Sequence, residues 1–253
     1  MERVDNYEQR FGGIGRLYGA EALARLRQSH VCVIGIGGVG SWCVEALARS
    51  GVGQLTLIDM DDICVTNINR QIHALSGNIG QLKTEAMKAR VALINPECQV
   101  NIIDDFISSE NLSDYLLRNY DYVIDAIDSV KTKAALIAFC KRNKIKLITV
   151  GGAGGQTDPT QIQIADLSKT IQDPLASKVR SLLRKEYNFS QNPKRKFGID
   201  CVFSTQPLIF PKMDGNCEVS ATMNCANGFG AATMITATFG FFAVSRVINK
   251  LLR

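Results

Sequence analysis

Short apolar runs alternate with stretches of helical periodicity through the first 150 residues of the chain. Runs rich in valine, isoleucine and leucine predict buried strands at residues 31–36, 55–58, 100–103, 122–127 and 146–150. Between them, apolar residues recur with helical spacing at 39–49, 80–95, 108–117 and 130–142. Because strands that alternate with helices build a parallel sheet, the pattern predicts an α/β, Rossmann-like fold with helices on both faces.

The pattern changes beyond residue 150. Residues 156–166, 201–210 and 217–223 predict further strands, and 173–187 has helical spacing. We expect the first of these strands to return antiparallel, which makes the sheet mostly parallel with antiparallel C-terminal strands.

The predicted organisation is a helical arm over residues 1–28 and one domain over 29–253, with a C-terminal extension from about residue 165. The expected anchors of the arm are Tyr7, Phe11, Ile14, Leu17 and Tyr18.

A glycine-rich turn follows the first predicted strand. Gly35, Gly37, Gly38 and Gly40 lead directly into the helix predicted at 39–49. Glycines permit a tight turn and a close approach of phosphate, and a helix N-terminus offers free N–H groups to an anion. Asp59, at the end of the second predicted strand, can bind ribose hydroxyls. These features predict a nucleotide site without selecting the nucleotide.

The polar residues after the second strand select a triphosphate. Asp59, Asp61, Asn67 and Arg70 have the spacing D-x-D-x5-N-x-x-R, and Lys83 follows in the first turn of the next predicted helix. Asn67, Arg70 and Lys83 are donors suited to phosphate oxygens, so we predict ATP. A cation in the first turn of a helix is disfavoured by the helix dipole. An anion bound nearby would explain the position of Lys83. The alternative is a polar loop with helix-capping residues.

Asp128 is a further candidate because it follows the strand predicted at 122–127. The carboxyl ends of parallel strands open into the crevice where such folds bind ligands. Capping of the helix at 130–142 is the alternative role for this side chain. Asp125, within the same strand, is the less favoured ligand.

Several segments resemble the ubiquitin-activating-enzyme-like adenylating family, which includes the activators of the molybdopterin and thiamine sulfur carriers. They are the motif above, GGIGRLYG at 12–19, VIDAIDSVKTKAAL at 123–136, GGAGGQTDPTQIQ at 151–163 and CANGFGAATMITATFGF at 225–241. These segments look like the branch that dehydrates threonylcarbamoyladenosine in tRNA. The resemblance implies that ATP adenylates the threonyl carboxylate, after which a ring closes with net loss of water.

The resemblance also implies roles for individual residues. Asp128 would hold Mg²⁺ on ATP, and Arg10 would reach the triphosphate of a neighbouring subunit in a homodimer, unless Arg10 is a solvated surface arginine. Arg70, Lys83 and Asn67 would stabilise developing charge. Partners implied by the resemblance are tRNA and a cysteine desulfurase system.

Two other classes of function are considered. The first is an enzyme that adenylates the C-terminal glycine of a ubiquitin-like sulfur carrier. Several relatives of that kind hold a structural zinc with two C-x-x-C pairs. This chain lacks such pairs, so we expect no zinc. A dinucleotide sensor or NAD-dependent dehydrogenase is the second, but it would leave Arg70, Lys83 and Asp128 without a role.

Composition and charge permit an anionic partner without demanding one. The chain is 46% hydrophobic and 21% charged, as in an ordinary soluble globular protein, and its net charge is +5. The resemblance implies RNA contact at Lys194, Arg195 and Lys196, which would clamp a phosphodiester backbone, with Phe189 and Phe197 stacking a base; a solvated disordered loop is the alternative.

Cysteine usage favours a reducing, cytoplasmic environment. None of the eight cysteines lies in a C-x-x-C pair, and Cys32, Cys43 and Cys140 lie in apolar runs as expected of buried thiols. We expect Cys225 to be a spectator, because no neighbour would lower its pKa.

Two segments bear on targeting. Residues 1–28 are polar and lack a secretory signal pattern, and 219–245 carry no formal charge. The latter segment is rich in Thr, Gly, Ala and Asn, so we predict a buried helix and no membrane span.

Overall fold

A computed structural model describes residues 6–210 and 229–253. Along the chain its helices and strands are α1 (Tyr7–Tyr18), α2 (Ala20–Gln28), β1 (His30–Ile34), α3 (Gly40–Arg49), β2 (Gln54–Ile58), α4 (Lys83–Ile94), β3 (Gln99–Ile103), α5 (Leu112–Leu116), β4 (Tyr122–Asp125), α6 (Val130–Arg142), β5 (Leu147–Val150), β6 (Ile162–Asp166), α7 (Pro174–Glu186), β7 (Asp200–Ser204) and α8 (Thr233–Leu251). Short 3-10 turns link several of them.

The seven strands form one sheet in the order β3-β2-β1-β4-β5-β7-β6. Neighbouring strands are parallel except β6 and β7, which pair antiparallel at one end of the sheet. The predicted fold class is therefore confirmed. From β1 the chain moves outward to β2 and β3, then returns to β4 on the other side of β1. In open sheets, ligands bind at the carboxyl ends of the strands where the order reverses in this way.

Helices cover both faces of the sheet. Leu47 of α3, Met87 of α4 and Phe239 of α8 belong to the core on one face, while α5, α6 and α7 bury apolar side chains such as Leu116, Ile137 and Val179 on the other. The predicted buried helix is thus confirmed over its described part, 233–245, because α8 packs against α3 and the sheet. No helix in the described ranges is long and apolar enough to cross a membrane.

Several predicted elements are shorter in the structure. The strand predicted at 156–166 begins only at Ile162, because Pro159 opens a 3-10 turn that Asp158 caps through the Thr160 N–H. The strand predicted at 201–210 ends at Ser204, where its pairing with β6 stops. The strand predicted at 217–223 and Cys225 lie outside the described residues.

The arm consists of two helices that meet at Gly19, whose φ of 97° suits glycine. Tyr7 and Phe11 are buried, and the Tyr7 hydroxyl donates to the Gly51 carbonyl at 2.5 Å. Leu17 is 73% exposed and Tyr18 is 41% exposed, so the prediction that these two residues are anchors is wrong. The buried residues of α1, Tyr7 and Phe11, lie in its N-terminal half. The division between an arm (1–28), one domain (29–253) and an extension from about 165 stays a prediction.

Candidate nucleotide site

The glycine turn between β1 and α3 is unusually close-packed. A Cβ atom on Gly40 would lie 1.8 Å from the Gly35 carbonyl oxygen, and Gly35 has a φ of 84°. The N–H groups of Gly37, Gly38 and Val39 donate to no described residue. Free N–H groups at the start of a helix are suited to an anion. The four predicted glycines therefore form one turn at the switch point of the sheet.

Asp59 ties the end of β2 to this turn. Its Oδ2 accepts from the Ile36 N–H at 2.6 Å, and its Oδ1 accepts from the Asp61 N–H at 2.8 Å. Burial raises the pKa of Asp59, while the positive charge of Lys83 and these two N–H donors oppose that rise. The buried carboxylate thus orients the backbone of the turn through both of its oxygens.

Lys83 is the first residue of α4 and forms an ion pair with Asp61. Its ammonium Nζ lies 2.6 Å from Asp61 Oδ2, and its side chain is only 7% exposed. Asp61 also accepts from the Lys83 N–H through its main-chain carbonyl at 3.1 Å. The Asp61 carboxylate offsets the unfavourable position of a cation at a helix N-terminus, the role predicted from the sequence for a bound anion.

Arg70 lies over the glycine turn. Its Cγ and Cδ atoms are 3.6 Å from the place that a Cβ on Gly38 would occupy. One guanidinium nitrogen, Nη1, donates to the Thr66 carbonyl at 2.8 Å and to Asn69 Oδ1 at 3.0 Å. The structure therefore brings this predicted residue to the turn and anchors one edge of its guanidinium.

Asn67 has a capping role in the same loop. Its Oδ1 accepts from the Cys64 N–H at 3.0 Å, as the alternative interpretation of a polar loop proposed. The side-chain amide nitrogen of Asn67 has no hydrogen-bond partner among the described residues. Asn67 can thus stabilise the loop with its oxygen and still offer a donor.

Sequence reasoning missed the contribution of α8 to this site. The Trp42 indole nitrogen and the Thr236 hydroxyl both donate to the Arg70 carbonyl, at 3.0 and 3.2 Å. Asn69 donates to the Ala231 carbonyl at 2.9 Å, and Thr233 donates to the Asn69 carbonyl at 2.6 Å. The contacts of Ala231, Thr233 and Thr236 span more than 160 residues of sequence, so no local pattern could have revealed them, while that of Trp42, in α3, spans 28.

Buried polar atoms without partners surround the turn. Ser41 Oγ, Gln71 Oε1, His73 Nδ1 and Thr84 Oγ1 have no hydrogen-bond partner in the described part of the chain. His73 Nε2 lies 2.8 Å from the Ile36 carbonyl, and burial lowers the pKa of this histidine, which favours the neutral ring. Unsatisfied buried polar atoms are uncommon, so these four atoms are ones that water or a ligand would satisfy.

Asp128 lies on the loop after β4, against the glycine turn. The Ala126 carbonyl of that loop is 3.0 Å from the place of a Gly35 Cβ, and Asp128 itself is exposed. Below it, Asp125 is fully buried: its Oδ2 is 2.8 Å from Lys133 Nζ and accepts from Thr149 Oγ1 at 2.6 Å. Its Oδ1 accepts from the Ile127 N–H at 3.1 Å. The Asp125 carboxylate is therefore occupied internally and holds the loop that carries Asp128.

Arg10 is remote from Lys83 of the same chain. It donates to Asn6 Oδ1 at 2.8 Å and to the Ile94 carbonyl at 3.3 Å, at the far end of α4 from Lys83. At 1.5 Å per residue, α4 separates the two positions by about 17 Å.

The prediction that Phe197 stacks a base is wrong. Phe197 is buried, with its ring 4.9 Å from that of Phe189 and with the Arg184 guanidinium 5.2 Å above it. A ring enclosed on both sides by protein groups has no free face on which to stack a base.

The described residues contain no group of three or more His, Cys, Asp or Glu side chains that would hold a metal ion. Cys32, Cys43 and Cys140 are buried free thiols, as predicted. The exposed cysteine in the described ranges is Cys64.

Comparison with known proteins identifies the family. The ThiF family model matches residues 13–252. A tRNA threonylcarbamoyladenosine dehydratase of Haemophilus influenzae is 82% identical over 253 residues, which cover 100% of this chain and 97% of that protein. The Escherichia coli dehydratase is 59% identical over 255 residues, covering 98% of this chain and 95% of that one.

The fold comparison agrees. The crystal structure of the Escherichia coli tRNA N6-threonylcarbamoyladenosine dehydratase in complex with ATP superposes with a TM-score of 0.90 at 56% identity, covering 99% of this chain and 97% of that chain. With a family model that spans nearly the whole chain and relatives of this similarity, the chain belongs to the ThiF family.

Proposed function

We propose that this protein is an ATP-dependent tRNA threonylcarbamoyladenosine dehydratase. The observation that carries the proposal is 82% identity along the whole chain to a dehydratase. The site supports the chemistry independently, since Arg70 packs on a glycine turn with free N–H groups and the charge of Lys83 acts on Asp59, which is hydrogen-bonded to that turn. A dinucleotide would need neither cation.

The first step is adenylation of the threonyl carboxylate. A carboxylate oxygen attacks the α-phosphorus of ATP, the bond to the bridging oxygen breaks, and pyrophosphate leaves. Positioning and neutralisation of charge dominate such a displacement. In our proposal the glycine turn (Gly35, Gly37, Gly38, Gly40) binds phosphate and Asp59 binds the ribose.

The cations stabilise the charge that develops in this step. We assign Arg70, Lys83 and the Asn67 amide nitrogen to the phosphate oxygens. Asp61 holds the Lys83 ammonium in place, as its 2.6 Å contact indicates.

The second step closes the ring. The carbamoyl nitrogen attacks the adenylated carbonyl within the same nucleoside, loses a proton, and expels AMP. The oxygen lost from the carboxylate leaves in AMP, so the nucleoside loses the elements of water and ATP becomes AMP and pyrophosphate. Because the nucleophile belongs to the substrate, no protein nucleophile is needed.

We further propose Mg²⁺ as a cofactor, held by Asp128 together with the phosphates of ATP. One carboxylate fits this ion, which usually binds to one or two carboxylates plus substrate phosphates and does not need an all-protein cage. When bound, Mg²⁺ would neutralise phosphate charge.

The finer assignments of partners are also proposals. A homodimer would bring Arg10 to the site of the neighbouring subunit, in keeping with its distance from Lys83 of its own chain. A cysteine desulfurase system remains an expectation from the resemblance. The free thiols of the described cysteines favour a reducing cytoplasm.

Activation of a ubiquitin-like sulfur carrier is the second candidate, because it uses the same adenylation site. It predicts pyrophosphate release that depends on a carrier protein with a C-terminal glycine and not on tRNA.

The roles of individual residues are tested by pyrophosphate release. Lys83→Ala and Asp128→Ala should each lower the rate by about 100-fold or more, since they remove groups that act on developing charge. Lys88→Ala, an exposed lysine of the same helix, is the control and should leave the rate unchanged. Near-normal release in both site variants would overturn the assignment.

A further inference from the structure

A strongly basic surface lies at the opposite end of α6 from Asp128. We define this basic face as residues 141–146 and 184–198, whose cations are Lys141, Arg142, Lys144, Lys146, Arg184, Lys185, Lys194, Arg195 and Lys196. All of them except the half-buried Arg184 are exposed. The face holds nine of the 29 Lys and Arg residues of the chain but one of its 24 Asp and Glu residues. Without it the protein would be net negative.

The loop of the basic face is folded, which argues against a merely solvated segment. Asp166 accepts from the Phe197 N–H at 2.9 Å and from the Gly198 N–H at 2.7 Å. Arg184 donates to the Ser190 carbonyl at 3.4 Å, and Lys169 donates to the Pro193 carbonyl at 2.6 Å. These contacts fix both ends of the loop against the rest of the molecule.

A cavity of about 320 Å³ opens between this loop and the end of α6. Lys141, Arg142 and Lys196 line it together with Tyr187, Phe189 and Phe197, and no acidic residue does. Three cations around an apolar floor suit a phosphate joined to a sugar. Because Phe197 is buried, it offers no free aromatic face to a base. The cavity is therefore suited to contacts with the backbone of a nucleic acid, which do not depend on base sequence.

The distance between this cavity and the proposed adenylation site indicates how large a ligand must be to reach both. α6 has 13 residues, and its first turn follows Asp128 while its last turn carries Lys141 and Arg142. At 1.5 Å per residue the two ends are about 18 Å apart. Exposed Lys178 and Lys185 of α7 lie on the same flank of the sheet. A single nucleoside cannot reach both places, whereas a folded RNA can.

We propose that the basic face binds the phosphodiester backbone of tRNA at nucleotides other than the one that reacts. This inference rests on the proposed dehydratase function. Recognition of this kind is independent of the threonylcarbamoyl group and sensitive to salt, since each phosphate contact releases counterions.

Binding of tRNA that lacks the modification tests the proposal. The double variant Lys141→Ala/Lys196→Ala should bind such tRNA about tenfold or more weakly, with a salt dependence less steep by about one to two in log–log slope. Its KM for modified tRNA should rise while its KM for ATP stays unchanged. Lys88→Ala/Lys250→Ala removes the same charge from exposed positions on α4 and α8 and should resemble the wild type.

A second variant separates charge from folding. Lys141→Arg/Lys196→Arg should retain tRNA binding, since it keeps both cations. If the alanine double variant binds tRNA as the control does, the basic face has another partner, such as an acidic protein, and the proposal is overturned. Absence of any tRNA-dependent turnover in the wild type would instead contradict the proposed function.

Discussion

At the scale of single residues, the buried ion pair between Lys133 and Asp125 stands out. Lys133 is 2% exposed and Asp125 is 0% exposed, and Lys133 Nζ also lies 2.9 Å from the Thr149 hydroxyl oxygen. A buried pair is costly to assemble, but removal of one partner leaves a charge without compensation. The pair links α6, β4 and β5 directly beneath the loop of Asp128, so it supports the site without facing a ligand.

We predict that Lys133→Met lowers the free energy of unfolding by about 3–5 kcal/mol. The double variant Lys133→Met/Asp125→Asn should be less destabilised than the single one, because the stranded charge is removed. Urea unfolding measures both. As a control, Lys131→Met changes an exposed lysine on the same helix and should have little effect on stability. Equal stability of the Lys131 and Lys133 variants would contradict the stabilising role of the buried ion pair.

At the scale of elements, Glu45 joins the two helices that begin at the candidate site. It lies in α3 and accepts from Arg90 of α4 at 2.6 Å and from Arg49 of its own helix at 2.7 Å. Burial acts to raise the pKa of Glu45, but the hydrogen bonds from the two arginines outweigh it and lower the pKa. A lowered folded-state pKa means that ionised Glu45 stabilises the protein.

The contribution of Glu45 should therefore depend on pH. It should be fully present above the unfolded pKa of about 4.3 and be lost as the pH falls through the lower folded value. At pH 7, Glu45→Gln should reduce the free energy of unfolding by about 2 kcal/mol, and the difference from wild type should shrink in acid. Glu85→Gln, at an exposed position of α4, provides the comparison. A deficit that stays constant down to pH 3 would exclude the proposed ion pairs.

The elements that sequence predicted well are those with strong local patterns. The apolar runs at 31–36, 55–58 and 100–103 coincide with β1, β2 and β3 within one or two residues, and α6 begins at Val130 as expected. The predictions failed where a local pattern was overridden: Pro159 shortened β6, and exposed Leu17 belongs to a helix that buries only its first turns. The antiparallel return of β6 was predicted, but the insertion of β7 between β5 and β6 was not, because strand order depends on contacts distant in sequence.

The candidate site shows the same division. The glycine turn, Asp59, Asp61, Arg70 and Lys83 lie close together in sequence, and spacing alone placed them in one region. Trp42 of α3 and Thr236 of α8, which donate to the Arg70 carbonyl, lie outside the motif, 28 and 166 residues from Arg70. The Asp61 counter-ion was also unforeseen, since sequence cannot specify which charges pair.

At the scale of the whole molecule, the proposed function depends on two separate regions. The crevice at the switch point of the sheet holds the groups that suit ATP, and the basic face lies about 18 Å away along α6. Both lie in a chain whose remaining charge is slightly negative, so a polyanion would be drawn to the basic face. This arrangement suits an enzyme that adenylates one nucleoside of a large RNA better than one that acts on a free metabolite.

The central claim is tested most directly by the mass of the nucleoside after reaction. Purified protein with ATP would be given tRNA that carries threonylcarbamoyladenosine or matched tRNA that lacks it, and the tRNA would be digested to nucleosides. We predict that the modified nucleoside loses the mass of one water, together with pyrophosphate release, only when ATP and modified tRNA are both present. An unchanged nucleoside mass, with pyrophosphate release dependent on a carrier protein instead, would contradict the account.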